Sequence, residues 1–282
     1  MIGRRERGYA MIAAIIGIAA FGFIAFELLA QDRGVLAEVR GEEEHAQLIS
    51  ACNAGLYMAI SGLATPDLTQ RWSIDGRSRI VQLGDTALVI TVEDERGKIP
   101  LNGIIEEEVR SMFVSAGVTD SGQLNALVDS YEDWEDTDNS PRPNGAEAPA
   151  YASLGYRPRN GGFRTIGELR MIKGMNDNIF SQLASSVTVF FGESGGFAET
   201  TAQPLALEVL GELTASSPEV TARQREIAGQ AAVATSLLKA NLTGRTLTVR
   251  VEAHRGQAYL KRSAIIELTG NAATPYWFRY LD

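Results

Sequence analysis

The chain opens with basic residues and then loses charge altogether. Arg4, Arg5 and Arg7 precede Gly8, and the run from Tyr9 to Phe26 is uncharged and mostly apolar. At about 1.5 Å per residue, a helix over this run spans roughly 27 Å, close to the ~30 Å hydrocarbon core of a bilayer. From Gln31 to about Gly62 the pattern turns to mixed polarity. Val35, Leu36, Val39, Ala46, Ile49, Cys52, Leu56 and Ile60 recur at three- and four-residue spacing, which predicts a helical stripe. Gly41 offers a place for that helix to bend, and Glu42, Glu43 and Glu44 read as a solvated face. The expectation is one long helix, apolar all round in its first half and packed along one side on a head in its second.

The pattern then changes period. Thr65 to Gly76 holds turn chemistry, with Pro66-Asp67 and Asp75-Gly76. Arg79 to Leu83 and Thr86 to Asp94 predict two strands around Gly84-Asp85, the second rich in β-branched residues. Strand signals return only at the end, in Arg245 to Ala253, Ala258 to Leu268 and Tyr276 to Leu281. Between them the signal is helical. Ile104 to Ala116 is amphipathic and stops at Gly117, a C-cap residue. Gln123 to Trp134, Thr165 to Ile172, Asn176 to Ser185 and Pro204 to Leu213 follow, with Thr165 and Glu168 spaced as a capping box. Phe191 to Thr201 reads as a Gly-rich loop. Ser217-Pro218 opens a helix to about Asn241 that returns the chain to the sheet. This order predicts an α+β molecule, with a small antiparallel sheet on the long helix and a helical domain inserted into the sheet.

Charge fixes the orientation of the first segment. Cations before an apolar run keep that end in the cytoplasm and send the rest across. A secretory signal peptide would need a small-residue cleavage site after the run. The helical pattern instead passes through Glu27-Leu28-Leu29-Ala30-Gln31 without a break, which favours a retained anchor. The 282 residues carry a formal net charge of −9, which argues against a phosphate-binding surface for nucleic acid. One cysteine, Cys52, excludes an intrachain disulfide and reads as a small packed hydrophobe. Two histidines, His45 and His254, leave zinc or triad chemistry poorly supplied.

A basic leader ending in Gly8 directly before an apolar helix resembles the leader of type IV pilin-like proteins. The middle of the chain makes the resemblance more specific. DERGKIPLN (Asp94 to Asn102) is followed by DSYEDWEDTDNSPRPNGAEAPAY (Asp129 to Tyr151), YRPRNGGFRTIGELRMIKGM (Tyr156 to Met175) and ETTAQPLALEVL (Glu199 to Leu210). Together with the leader these runs resemble the type II secretion system protein K family. The resemblance implies a pilin-like fold: a leader over 1–8, a membrane part of the helix over 9–30, and the rest of the helix with the first strands over 31–96. The inserted helical domain then covers 97–217, and the return helix with the last strands 218–282. It also implies a minor pseudopilin at the tip of a short periplasmic filament, anchored in the inner membrane. Its partners there would be other minor pseudopilins and the major pseudopilin. A prepilin peptidase would cut between Gly8 and Tyr9, with methylation of the new amine. Most pilins carry Glu as the fifth mature residue, to neutralise the amine of the subunit above; this chain has Ala13, which suits a tip.

Two other functions compete. Ile172-Lys173-Gly174-Met175 and Ala116-Gly117-Val118 resemble the turns of helix-hairpin-helix nucleic-acid modules, against which the acidic balance weighs. Asp129, Glu132, Asp133, Glu135, Asp136 and Asp138 contain enough carboxylates for a hydrolase pair. Their dense spacing and the Pro and Gly after them better suit a cation loop or a solvated turn. Asp133, Asp136 and Asp138 alternate closely enough to converge if the helix ends near Trp134. Pro141, Pro143 and Gly145 then turn the chain so that Glu147 returns to the same ion. The four are candidate calcium ligands, with Trp134 as the hydrophobic anchor of the loop. The glycine required of an EF-hand loop is absent. The family resemblance adds calcium in its soluble domain as an expectation.

Overall fold

The computed structural model describes residues 6–192, 196–211, 218–227, 241–271 and 273–282. Helix α1 (Glu6–Ala64) runs through Gly41 as one element, so the glycine does not interrupt it. Thr65-Pro66 ends it, because proline disfavours the helical region for the residue before it. From Met11 to Phe26 its large apolar side chains are all exposed, from 54 % at Ile24 to 77 % at Phe21. Among the described residues no helix is long and apolar enough to cross a membrane. The described side chains begin at Met11, whereas the apolar run begins at Tyr9. The Met1–Arg5 part of the leader lies outside the described residues; Gly8 and Tyr9 fall within α1, their side chains undescribed.

The second half of α1 buries Leu48, Ala51, Cys52, Leu56, Ala59, Ile60 and Leu63. This differs from the expected stripe at its start: Ala46 and Val39 are exposed and Ile49 only half-buried. The buried face begins where the sheet does, and apolar spacing below that level has nothing to pack on. Five antiparallel strands form the sheet: β1 (Asp75–Leu83), β2 (Thr86–Asp94), β5 (Thr246–Arg255), β6 (Ala258–Leu268) and β7 (Tyr276–Leu281), in the order β1-β2-β5-β6-β7. Leu88, Ile90, Val92, Leu247, Val249, Val251, Ala264 and Ile266 line the face against α1, with little or no exposure. Cys52 is fully buried there, as read from the sequence. Gly55 lets the helix approach β5, since a Cβ would stand 2.6 Å from Val251. Gly62 sits against Trp72, where a Cβ would meet the indole at 2.4 Å. Asp75-Gly76, expected in a turn, instead starts β1 across a bulge, with Gly76 at φ +80°.

The insertion leaves β2 and re-enters at β5, its sheet neighbour. It contains β3 (Ile99–Pro100), α2 (Glu106–Ser115), α3 (Ser121–Glu135), α4 (Ala148–Tyr151), α5 (Asp177–Leu183), β4 (Val187–Thr188) and α6 (Pro204–Gly211). Short 3-10 turns join them, including Ile166–Met171, where Glu168 accepts from the Thr165 N–H at 3.2 Å as the capping box requires. Val109, Met112, Phe113, Leu127, Tyr131 and Trp134 anchor a second core, separate from that of the sheet. β3 and β4 form a two-stranded parallel pair that the sequence did not reveal. Helix α7 (Pro218–Ile227) packs Val220 on Ala202 and Leu207 and reaches β1 through Arg223, which donates to the Asp75 carbonyl at 3.5 Å. The expected remainder of that helix, 228–240, lies outside the described residues.

Candidate functional site in the acidic loop

Helix α3 ends at Glu135, and Asp136 is extended at φ −71°, ψ 171°, so the chain turns out one residue after Trp134. Trp134 is buried, edge-on to Tyr151 at 5.8 Å and stacked with Phe163 at 6.4 Å. This aromatic cluster fixes one end of the loop, as expected of the anchor. The loop then closes on itself. Asp136 Oδ1 accepts from the Asp138 N–H at 3.3 Å, and Asp138 Oδ1 accepts from the Ser140 N–H at 2.7 Å. Asn144 donates to Asp129 through its backbone at 2.9 Å and its side chain at 2.8 Å.

Three of the four expected ligands converge. Carboxylate oxygens of Asp136, Asp138 and Glu147 lie within 4.8 Å of one another. Asp133 is the correction. It is fully buried on the inward side of α3, and both its oxygens accept from the Arg142 N–H at 3.2 Å. Its Oδ2 fills the space beside Gly145, where a Cβ would stand 2.0 Å away. Asp133 therefore holds the loop and does not join the group. The reason is periodicity: Asp133 still lies within the helix and faces its core, whereas Asp136 and Asp138 follow the helix end.

Glu147 precedes α4 and is 2 % exposed. Among the described residues, neither of its carboxylate oxygens accepts a hydrogen bond of good geometry, although the Ala148 N–H is close enough to hold its carboxyl down slightly. Burial pushes its carboxyl above the ordinary range, and the nearby charges of Asp133 and Asp136 add to that. Asp133 is raised as well, because burial outweighs the backbone N–H groups it accepts from. Arg142 was not anticipated. Its guanidinium reaches Asp136 at 3.1 Å, Glu132 at 3.4 Å and Asp133 at 3.6 Å. It thus pairs the outer acids. Its place in Pro141-Arg142-Pro143 was the available signal, since two prolines fix where the residue between them points.

The donor set is oxygen only, includes three carboxylates, and contains a buried carboxylate that among the described residues accepts no hydrogen bond of good geometry. A buried unpaired carboxylate is costly, so it either stays protonated or meets a cation. Hard oxygen donors of this kind fit calcium, which takes six to eight oxygens at about 2.3–2.6 Å. The two hairpin-like glycines, Gly117 at φ +94° and Gly174 at φ +90°, close turns inside the same lobe.

Residues 102–192 match the family model of type II secretion system (T2SS), protein K. This stretch of the chain is similar to the protein K family of type II secretion systems. The matched stretch is most of the insertion and includes the acidic loop. The type II secretion system protein K of Klebsiella pneumoniae is 24 % identical over 266 residues, covering 84 % of this chain and 80 % of that protein. A putative type II secretion system protein K of Escherichia coli K12 is 38 % identical over 82 residues, covering 28 % of this chain and 24 % of that protein. That of Pectobacterium carotovorum is 29 % identical over 121 residues, covering 40 % and 37 %. The chain thus spans about a quarter of the Escherichia relative and four fifths of the Klebsiella one. In fold it matches a chain in the crystal structure of the GspK-GspI-GspJ complex of enterotoxigenic Escherichia coli. The TM-score is 0.61 at 15 % identity, over 87 % of this chain and 98 % of that one. That likeness bears out the pilin-like α+β architecture.

Proposed function

We propose that this protein is a minor pseudopilin at the tip of the periplasmic pseudopilus, a structural subunit that supports export of folded proteins. The observation that carries the reading is the protein K match, which falls on the helical insertion of a pilin-like frame. Its partners are the chain's counterparts of GspI and GspJ at the tip and the major pseudopilin below. The exposed apolar start of α1 serves as a single-pass inner-membrane anchor, with the globular lobes in the periplasm. A prepilin peptidase releases it between Gly8 and Tyr9. The role is structural and not catalytic. Co-expression of the full chain with the GspI- and GspJ-type subunits of its own system tests this. A stable ternary complex, and loss of secretion when the chain is deleted, are expected. Intact secretion without the chain, together with no complex at micromolar concentration, overturns the reading.

The acidic loop is a calcium site within this reading. Asp136, Asp138 and Glu147 hold the ion, and Asp133 orders the loop from behind. Calcium neutralises a group of carboxylates that otherwise repel, and so ties the end of α3 to the start of α4. The supporting observation is Glu147, buried with neither oxygen accepting a hydrogen bond of good geometry among the described residues. Binding stabilises by RT ln(1 + [Ca]/Kd), about 2.7 kcal/mol at a hundredfold excess over Kd. Metal-free protein should melt higher with calcium than with chelator. An unchanged melting temperature in protein shown free of metal removes the site.

A further inference from the structure

The two lobes have separate apolar cores, and what lies between them on the β4 side is ionic. The sheet face opposite α1 is covered there by the insertion, so Thr248 of β5 is buried and polar. The crossing segment Asp94–Lys98 fills this joint. Glu95 is 2 % exposed, and both its oxygens are used. One accepts from Thr248 Oγ1 on the sheet; the other accepts from Thr188 Oγ1 on β4 of the insertion. Lys98, also buried, sits 2.6 Å from Glu95 and 3.1 Å from Glu93. Beside it, on the side of Arg96 and Gly97, stand two side-chain ties, Thr201 Oγ1 donating to Asp94 at 3.0 Å and Arg223 donating to the Asp75 carbonyl at 3.5 Å, and main-chain ties as well. Arg96 and Gly97 carbonyls accept from the Ala198 N–H at 2.9 Å and the Gln203 N–H at 2.8 Å. Gly97 packs so closely that a Cβ would stand 2.5 Å from the Thr201 carbonyl.

A buried ionic contact contributes little net stability after desolvation, but it accepts only one geometry. Each lobe, by contrast, is held by its own apolar core. We propose that Glu95 is the bolt of a latch: it fixes the insertion at one orientation to the sheet, and without it the insertion swings as an intact body about the Arg96–Gly97 tie. This is independent of the filament reading and of the calcium site.

The test uses the full chain in detergent, spin-labelled at Val114→Cys on α2 and Ile80→Cys on β1. Both positions are exposed, and Cys52 is fully buried and takes no label. The unchanged joint should give one narrow distance. Glu95→Ala should widen the distribution about twofold, while slow hydrogen exchange persists in both α3 and β5. Lys98 keeps Glu93 in that variant, so no cation is stranded. Thr188→Val with Thr248→Val should widen it likewise. Glu95→Gln can still bond both hydroxyls and should stay narrow. A narrow distance in both Glu95→Ala and the double threonine variant overturns the latch. So does joint loss of protection in α3 and β5, which would make the two lobes one cooperative core.

Discussion

Glu147 and Gly145 carry the chemistry of the acidic loop between them, one by what it lacks and the other by what it cannot accommodate. A carboxyl whose folded pKa is raised binds more protons folded than unfolded just above its ordinary value. Metal-free stability therefore falls as pH rises from the ordinary carboxylate range through the raised folded pKa. At the proposed calcium site the ion would remove that cost at neutral pH and compete with the proton in acid. The calcium-induced rise in melting temperature should be large at pH 7 and vanish as pH drops below the ordinary range. Calorimetry with calcium and with chelator across pH checks this; a rise independent of pH would mean that Glu147 is not a ligand. Glu147→Gln should make metal-free protein more stable at pH 7 and erase the calcium response. Gly145→Ala tests Asp133. Its Cβ would collide with Asp133 Oδ2 and crowd the Asp129 carbonyl, so a loss of about 1–3 kcal/mol is expected from overpacking. Chemical denaturation measures it, and an unperturbed midpoint would show that the loop is looser than described.

At the scale of elements, strong periodicity was legible and short contacts were not. Thr86–Asp94, Ala258–Leu268 and Tyr276–Leu281 occur as strands with the bounds that alternation and Gly turns predicted. β3 and β4 escaped because two residues have no period; they are strands only through their pairing with each other. Asp133 was misassigned because spacing along the chain does not say which side of a helix end a residue falls on. Arg142 escaped because its only local signal is the two flanking prolines, which say nothing of the acids it reaches. Gly62 also looked unremarkable, yet Trp72 lies against it. Gly62→Ala should push the indole off α1 and lower the melting temperature by several degrees, for a loss of about 1–3 kcal/mol. Leu56→Ala, in the middle of the α1–sheet core, should cost about 2–5 kcal/mol by leaving a cavity. Equal melting temperatures for either variant and the parent would place α1 away from the sheet in solution.

The whole molecule is asymmetric along its length, and the proposed role makes a prediction about where in a filament such a subunit would sit. Its helix α1 begins with exposed apolar side chains from Met11 to Phe26, and its head carries two lobes, one built from the sheet and the second half of α1 and the other from the insertion. Most pilins carry as fifth mature residue a glutamate that pairs with the amine of the subunit above. The proposed cleavage between Gly8 and Tyr9 would make Ala13 that residue, and an alanine offers the amine nothing. The insertion adds bulk to the head at the end of the sheet where Glu95 meets Thr248. In the proposed filament both features would oppose another subunit above. Two measurements follow. Mass spectrometry of membrane-extracted protein should find a chain starting at a methylated Tyr9; an intact Met1, or a cut beyond Phe26, would remove the premise. Quantitative cross-linking of assembled filaments should find this chain at one end, in far fewer copies than the major subunit. Copies spaced along the shaft would show that Ala13 does not terminate stacking. Ala13→Glu supplies the missing carboxylate while leaving the insertion in place. If the carboxylate alone sets position, the variant should enter the shaft; if the insertion also blocks stacking, it should stay at the end.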